Sequence, residues 1–308
     1  MRRRKNQIAR TTEDVIFDIV NVALLLLIVF LTLYPFYYVL IQSLNEGLDA
    51  VRGGIYFLPR KWSLENFNAL LGDPKWAKSL MVSVTRTIAG TLLAVGFTSL
   101  VAYGMSFKSL VFRKWYYALI LFAMYFNGGM IPTFVLFRSL RILNTFWVYI
   151  IPSMLNIFFM MVLIAFFQDI PVSLLEVARI DGASELLIFR KIVLPLSLPI
   201  LATTALFIGV GQWNSWIDSA YYVSNKNLRT MSYLMMEIIN KSMIDRFGAA
   251  ATAGMEISQQ SLAHSSTAVT TRSIQMAAMI VSVAPIICVY PFLQKYFVKG
   301  IMLSSVKG

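Results

Sequence analysis

Long apolar runs dominate the pattern of hydrophobic and polar positions along this chain. An α-helix needs about 20 apolar residues to cross the roughly 30 Å hydrocarbon core of a bilayer. Six runs reach that length: residues 20–41, 81–105, 115–137, 146–167, 196–222 and 274–297. We call them spans one to six. The pattern predicts an all-α, polytopic membrane protein with six transmembrane helices.

Two of the spans contain residues that interrupt a helix. Asn127-Gly128-Gly129 and Pro132 predict a break in span three, and Gly209, Gly211 and Gln212 predict one in span five. Hydrocarbon offers no partner to a freed backbone group, so neighbouring helices or water must satisfy these breaks. The apolar runs alone are sufficient to assign spans one, two, four and six.

The composition excludes several other classes of protein. A hydrophobic content of 58% against 14% charged residues is too apolar for a pair of soluble domains. The net charge of +12 does not indicate a nucleic-acid partner, because the basic residues are scattered between apolar runs, as membrane orientation requires. A single cysteine, Cys288, and a single histidine, His264, exclude an intrachain disulfide and a His/Cys zinc site. No Gly-Lys pair occurs, so the chain has no P-loop for ATP.

Basic residues set the orientation that we expect. Residues 1–5 and Arg10 form a basic cluster before span one. The apolar run of span one is too long for a signal peptide, and no Ala-x-Ala cleavage site follows it. The positive-inside rule keeps this cluster in the cytoplasm, and Lys108, Arg113 and Lys114 in the short loop after span two agree with it. An even number of spans returns the C-terminus to the cytoplasm.

This orientation places residues 44–78 and 223–272 outside the membrane and residues 168–194 inside. The second outer segment contains apolar residues at helical spacing, with Glu237 and Lys241 opposite them. The apolar positions are Met231, Leu234, Met235, Ile238 and Ile239. The pattern fits a helix lying on the membrane surface and equally a helix that docks a partner.

The inner segment, residues 168–195, predicts two short helices that meet at a corner; we call it the elbow. Pro171 suits the start of the first helix, and Gly182 suits the left-handed residue that ends it. Ser184 can then cap a second helix, which must stop before Pro195. That helix carries an apolar stripe of Leu186, Phe189 and Val193, flanked by Ile192. Either the chain's own spans or another protein must cover such a stripe.

The elbow resembles the coupling loop of ABC importer permeases. The pattern of that loop is Glu-Ala-Ala, three residues, Gly, nine residues, Ile, one residue, Leu-Pro. The matching positions are Glu176, Ala178, Gly182, Ile192, Leu194 and Pro195, and Val177 replaces the middle alanine. Residues 180–184, Ile-Asp-Gly-Ala-Ser, resemble the carbohydrate-uptake branch, and residues 295–308 resemble the C-terminus of oligosaccharide permeases.

The resemblance implies a transporter subunit of a prokaryotic cytoplasmic membrane, not an enzyme. Such a permease has six spans and pairs with a homologous sister permease, and an extracellular substrate-binding protein delivers the solute. ATP and Mg²⁺ are bound by a dimer of partner ATPase subunits, into which the coupling loops fit, and this chain binds no cofactor. The resemblance implies divisions at residues 1–74, 75–297 and 298–308. The coupling residues it implies are Glu176, Ala178, Asp181, Gly182, Ala183, Phe189, Ile192, Leu194 and Pro195.

Amide and indole side chains stand together in span five. Gln212, Trp213, Asn214 and Trp216 combine paired hydrogen-bonding groups with aromatic faces, which suits sugars. Tryptophan also populates membrane interfaces without any ligand, so both interpretations remain open. Asn127 in span three is a further candidate for lining the pathway.

Arg86 and Asp218 are ionisable residues near the outer ends of spans two and five. A charge inside the hydrocarbon costs about 2.5–3.5 kcal/mol even on translocon-derived scales. Both side chains can extend to the lipid headgroups, which would explain their position. Alternatively, they form an ion pair that closes the outer side of the pathway.

Other functions explain the sequence less well. A secondary transporter is expected to show internal repeats and ionisable residues near mid-membrane, and neither is clear here. A membrane-embedded enzyme is disfavoured by the single histidine and single cysteine. An ABC permease for a solute other than a sugar remains the main alternative, because the coupling loop is common to importers of many nutrients.

Overall fold

The computed structural model describes residues 11–126, 128–252 and 269–305. These residues form helices joined by short loops, with one isolated antiparallel bridge between Asn45 and Trp62 among them. The first helices are α1 (Thr12–Ser43), α2 (Gly47–Val51), α3 (Glu65–Gly72), α4 (Pro74–Ser106), α5 (Arg113–Tyr125), α6 (Met130–Ser139), α7 (Trp147–Ile150) and α8 (Ile157–Gln168). The prediction of an all-α chain is confirmed for the described residues.

The later helices follow the same order along the chain. They are α9 (Val172–Ile180), α10 (Glu185–Ile188), α11 (Leu194–Leu196), α12 (Leu198–Asn214), α13 (Ile217–Tyr222), α14 (Met231–Thr252) and α15 (Thr271–Ser305). Short 3₁₀ turns lie at Ile151–Ser153 and Lys226–Leu228, and a π-helical turn lies at Phe189–Val193.

Several of these helices can cross a membrane. In the described part of the chain, α1, α4 and Thr271–Val289 of α15 are long and apolar enough to do so alone. Three bent pairs would raise the number to six: α5 with α6, Trp147–Ser153 with α8, and Glu185–Leu196 with α12. A polytopic membrane protein is therefore confirmed at this coarser level.

The chain forms two compact units. The described residues up to Ala69, together with α15 up to Ile280, make the first unit. In this unit, α1 begins at a capping box in which Thr11 accepts from the Asp14 amide and Asp14 accepts from the Thr11 amide. The residues of α1 before Leu33 are all exposed, so its apolar surface is free to face lipid.

The second unit, from Leu70 and from Val281 of α15, is built around α4. Asp73 caps this helix by accepting from the Lys75 amide at 2.9 Å, and Pro74 occupies its first turn. α8, α12 and the elbow pack around the last turns of α4. Their buried core is formed by Ala102, Tyr103, Met160, Leu163, Ile164, Phe167, Ile188, Phe189, Val193 and Leu201.

Span four is bent, a break in addition to those predicted for spans three and five. The two parts of the span meet at 45°, and α8 begins after Asn156, which accepts from the Phe159 amide at 3.1 Å. Thr98 of α4 supplies the missing partners, since its hydroxyl donates to the Met154 carbonyl and accepts from the Asn156 amide. An unpaired buried polar group costs about 1–3 kcal/mol, so Thr98 makes this bend tolerable.

The breaks in spans three and five differ from each other. Span three stops at Tyr125 and resumes at Met130, as the glycines predicted, while Pro132 lies inside the first turn of α6. Asn127 itself lies outside the described residues. In span five, α12 runs without interruption to Asn214, so the predicted break at residues 209–212 was wrong; the helix breaks at residues 215–216.

The amphipathic pattern of residues 231–241 belongs to α14. Met231 and Leu234 are each only 2% exposed, and the Met231 amide donates to the Ser83 hydroxyl of α4 at 2.8 Å. Ser282 of α15 donates to the sulfur of Met235. The first turns of α14 therefore pack inside this chain, and the start of its apolar face is free neither for a lipid surface nor for a partner.

Candidate functional site: an elbow and a buried polar cluster

The elbow has the corner that the sequence predicts. α9 follows Pro171, and Gly182 adopts a left-handed φ of +80°. Ser184 then caps α10 by accepting from the Leu187 amide at 3.4 Å. A side chain at position 182 would contact nothing within 4 Å in this chain, so glycine is required here for its backbone conformation alone.

The second half of the elbow does not stop before Pro195, contrary to the expectation. The π-helical turn Phe189–Val193 carries the helix on into α11, which contains Pro195. Proline has no amide hydrogen to donate. The π-helical turn just before it shifts the backbone hydrogen bonds from the i→i+4 spacing of an α-helix to i→i+5. Between Glu185–Leu196 and α12 the chain then turns by 83°.

The apolar surface of the elbow is divided between the chain's own core and the outside. Phe189 and Val193 are 7% and 1% exposed and belong to the core, so the chain itself covers this part of the stripe. Leu186 of the predicted stripe is 65% exposed. The other uncovered apolar side chains are Val172, Leu174, Val177, Ile180 and Leu187.

The remaining coupling candidates fall into two groups. Ala178, Ala183, Ile192 and Leu194 are partly buried and pack against the core. The second group is exposed and consists of Glu176, Asp181, Gly182 and Pro195. Val177 is 58% exposed, so its extra bulk over alanine crowds nothing within this chain.

The elbow is attached to α4 through a carboxylate that the sequence analysis did not single out. The Tyr103 hydroxyl donates to Glu185 Oε2 at 2.7 Å, and Arg179 Nε donates to Glu185 Oε1 at 2.7 Å. The bond from Arg179 lowers the pKa of the Glu185 carboxyl. The Tyr103 ring packs on the rings of Phe107 and Phe189 at 4.9 and 5.1 Å between centroids. No local pattern marks Tyr103, which stands 82 positions before Glu185.

A second constellation, the buried polar cluster, surrounds Arg86 of α4. Arg86 is 2% exposed and forms an ion pair with Asp218 of α13. Its guanidinium also donates to Gln212 Oε1 at 2.9 Å and to the Ser215 carbonyl at 3.1 Å. The Tyr149 ring lies beneath it, 4.5 Å from Cζ. Arg86 is thus enclosed by protein, and the explanation that it reaches out to the headgroups is wrong.

The polar cluster stabilises the break in span five. Residues 215 and 216 are outside both α12 and α13, and Arg86 gives the Ser215 carbonyl a partner. Asp218 accepts from the Ser215 hydroxyl and from the Ser219 amide, which completes the start of α13. The requirement that a neighbouring helix satisfies a broken span is met here by one charged side chain.

The predicted sugar-binding residues separate into occupied and free groups. Gln212 donates to the Ser153 hydroxyl at 2.6 Å while it accepts from Arg86. Trp213 is 6% exposed, and its indole donates to the Ser282 carbonyl at 2.9 Å. Asn214 is exposed and Trp216 half-buried, so these two alone of the four in span five are available to a solute.

An apolar cavity lies beside the polar cluster, between α4, α12 and α15. Its volume is about 350 Å³, and its walls include Ile88, Leu92, Leu206, Val210 and Ile286. Thr87 and Thr91 also line the cavity, but its accessible surface is almost wholly apolar, and a sugar needs many more hydrogen-bonding groups than two hydroxyls. Among the described residues, no group of three or more His, Cys, Asp or Glu side chains is placed to hold a metal ion.

Comparison with known proteins assigns the chain to a family. Residues 94–303, more than half of the chain, match the family described as binding-protein-dependent transport system inner membrane component. The chain belongs to this family. It is the permease component of an importer, and the elbow falls within the matched region.

Two curated relatives and one solved structure resemble this permease over most of its length. It is 36% identical over 293 residues to the polygalacturonan/rhamnogalacturonan transport system permease protein YtcP of Bacillus subtilis, covering 95% of this chain and 99% of the relative. It is 26% identical to the trehalose/maltose transport system permease protein MalG of Thermococcus litoralis, covering 96% and 99%. A crystal structure of a bacterial ABC transporter involved in the import of the acidic polysaccharide alginate matches with a TM-score of 0.81 at 27% identity, covering 94% of this chain and 100% of that one.

Proposed function

We propose that this permease forms half of the translocation pathway of an ATP-driven importer for a carbohydrate of oligosaccharide size. The observation that carries the proposal is the 36% identity to the polygalacturonan/rhamnogalacturonan permease over nearly the whole of both chains. The alginate importer structure and the trehalose/maltose permease support the same solute class. Asn214 and Trp216 are the residues of span five that we assign to solute contact.

The proposal includes a membrane arrangement and a set of partners. Six spans cross the cytoplasmic membrane of a prokaryote, with both termini in the cytoplasm. α12 and α13 form span five, and the elbow before α12 stays in the cytoplasm. Residues 75–297 are the permease core, between an N-terminal part (1–74) and a C-terminal tail (298–308). A homologous sister permease, two ATPase subunits that bind ATP and Mg²⁺, and an extracellular binding protein complete the importer. The uncovered apolar side chains of the elbow provide the contact surface for an ATPase.

The elbow acts as a lever in this proposal. Closure of the ATPase pair moves it, and the motion reaches spans four and five through the buried core around Phe189. The contact between Glu185 and Tyr103 adds a route into α4. The Arg179–Glu185 pair is largely exposed and contributes only about 0–1 kcal/mol, so the hydroxyl bond and the packed Tyr103 ring hold the elbow to α4.

α4 links the two sites along one unbroken helix. Arg86 and Tyr103 are 17 positions apart (86 to 103) within α4, which corresponds to about 26 Å at 1.5 Å per residue. A displacement of the inner end of α4 therefore reaches the ion pair at its outer end. We assign to the Arg86–Asp218 pair the role of closing the outer side of the pathway.

The function is tested by purifying the tagged permease from its native membrane and measuring uptake in the same strain. We expect a second permease and an ATPase pair to co-purify in fixed proportion. Loss of the permease should abolish uptake of labelled pectic or alginate-type oligosaccharides while glucose uptake continues. Purification without an ATPase would overturn the importer, and normal oligosaccharide uptake without the permease would overturn the solute class.

The lever is tested at Gly182 with four substitutions. A residue other than glycine at a left-handed φ costs about 1–3 kcal/mol, and asparagine tolerates this region better than alanine or valine. If strain within the elbow explains the need for glycine, Gly182→Asn should lose the least uptake, Gly182→Ala more, and Gly182→Val the most. Equal loss in all three, with the permease still inserted, would instead indicate contact with the ATPase surface. Normal uptake with Gly182→Asp would contradict the lever.

The route into α4 is tested with Tyr103→Phe, which removes one hydroxyl, and Glu185→Gln, which removes one charge. A hydrogen bond of this kind is worth about 0.5–1.5 kcal/mol net, so we expect uptake to fall roughly two- to tenfold in each variant. The double variant should lose little more than either single variant, because both act on one contact. Tyr116→Phe, at an exposed tyrosine of α5, is the matched control. Unchanged uptake per assembled transporter in both single variants would eliminate this route.

The gate is tested with Asp218→Asn in transporter reconstituted in liposomes. Removing one partner of a buried ion pair costs about 3–5 kcal/mol, so the melting temperature should drop. If the pair closes the pathway, the liposomes should also leak small solutes in the absence of ATP. Asp169→Asn, at the exposed end of α8, should change neither quantity. A lower melting temperature with no leak would show that the pair is purely structural.

A further inference from the structure

Residues 56–64, in the first compact unit, expose an unusual number of large apolar side chains; we call this segment the aromatic loop. Phe57, Leu58 and Trp62 are 70%, 67% and 70% exposed, and Tyr56 and Leu64 are 57% and 62% exposed. A contiguous apolar patch of this kind normally marks a surface that something else covers.

The base of the aromatic loop is fixed to the side of α1. Tyr34 and Tyr37 donate their hydroxyls to the backbone carbonyls of Tyr56 and Phe57. Just before these residues, the Gln42 amide donates to the Ile55 carbonyl at 3.3 Å, and Ile55 is 1% exposed. The backbone is therefore held against α1, while the side chains at the tip of the loop are directed away from the protein.

The position of these tyrosines along α1 sets the depth of the loop. Residues 19–33 are an apolar run in which every side chain is exposed. A 20-residue crossing that begins at Ile19 ends at Tyr38 and covers about 30 Å. Tyr34 and Tyr37 then lie at the far boundary of the bilayer, in the zone where tyrosine and tryptophan concentrate. Because the loop is attached at these residues, it lies at the same level.

The two basic residues within the aromatic loop are compensated within the unit. Arg60 pairs with Asp49 at 3.1 Å and donates to the Gly53 carbonyl, while Lys61 pairs with Glu46 at 2.9 Å. The apolar tip can therefore approach lipid without carrying uncompensated charge into it.

We propose that the aromatic loop inserts into the headgroup region of the outer leaflet and anchors the outer end of α1. The occupant of this surface is the lipid bilayer. The continuity of the loop with the lipid-exposed side of α1, through the two tyrosine hydroxyls, favours lipid over a protein partner. The proposal depends on α1 crossing the membrane and is independent of the transported solute and of the ATPase.

The test uses the assembled transporter in nanodiscs of phosphatidylcholine and phosphatidylglycerol. A nitroxide is attached at Phe57→Cys in a Cys288→Ser background, and its accessibility to oxygen and to a water-soluble nickel chelate is measured. Reference labels are placed at Leu26→Cys, on the exposed middle of α1, and at Arg52→Cys, in the preceding loop. We expect the oxygen-to-nickel ratio at position 57 to lie between the two references.

Two other results would overturn the anchor. A ratio equal to that at position 52 places the tip in water, and low accessibility to both reagents places it under a protein partner. A second label at Leu58→Cys repeats the measurement, so that a disturbance by one label does not decide the outcome. Because the readout is depth and not transport, its failure is distinguishable from failure of the importer assignment.

Discussion

The polar backbone of a broken helix has to be satisfied inside an apolar environment, and this constraint organises the permease. Spans four and five both break, and in each case α4 supplies the missing partners. Thr98 bonds both sides of the bend in span four, and Arg86 bonds the carbonyl at the break in span five. Without these two side chains, the broken spans would leave unpaired groups where water is scarce. These polar residues of α4 therefore lie where the neighbouring broken spans need hydrogen-bond partners.

The same helix connects the two ends of the second compact unit. Its C-terminal end holds Tyr103 against Glu185 of the elbow, and its N-terminal half holds Arg86 against Asp218. A bent span can change its angle at the break, whereas α4 is continuous over 33 residues. A rigid rod between two hinged neighbours suits a protein that converts movement at one membrane face into movement at the other.

The sequence predicted those features that depend on local chemistry. The apolar runs located the long helices, Gly182 and Ser184 located the corner of the elbow, and Gly128 and Gly129 located the break in span three. The break in span five was misplaced, because Gly209 serves helix packing inside α12: a β-carbon there would come within 3.2 Å of Thr91. Features that join distant positions left no local signal. Gln212 and Trp213 looked suited to a sugar, yet their polar groups are bonded to Arg86, Ser153 and Ser282 of the chain itself.

The π-helical turn at Phe189–Val193 has a consequence for how the elbow can vary in length. Such a turn holds one residue more than an α-helical turn, and it lies between the exposed Leu186 and the start of α12. Deleting that residue would restore regular helix and rotate everything before it by about 100° relative to α12. Leu186 would swing off the exposed face, and Phe189, at the start of the turn, would leave its place in the core. The register of this short segment is therefore fixed from both sides, by the exposed face before it and by the core.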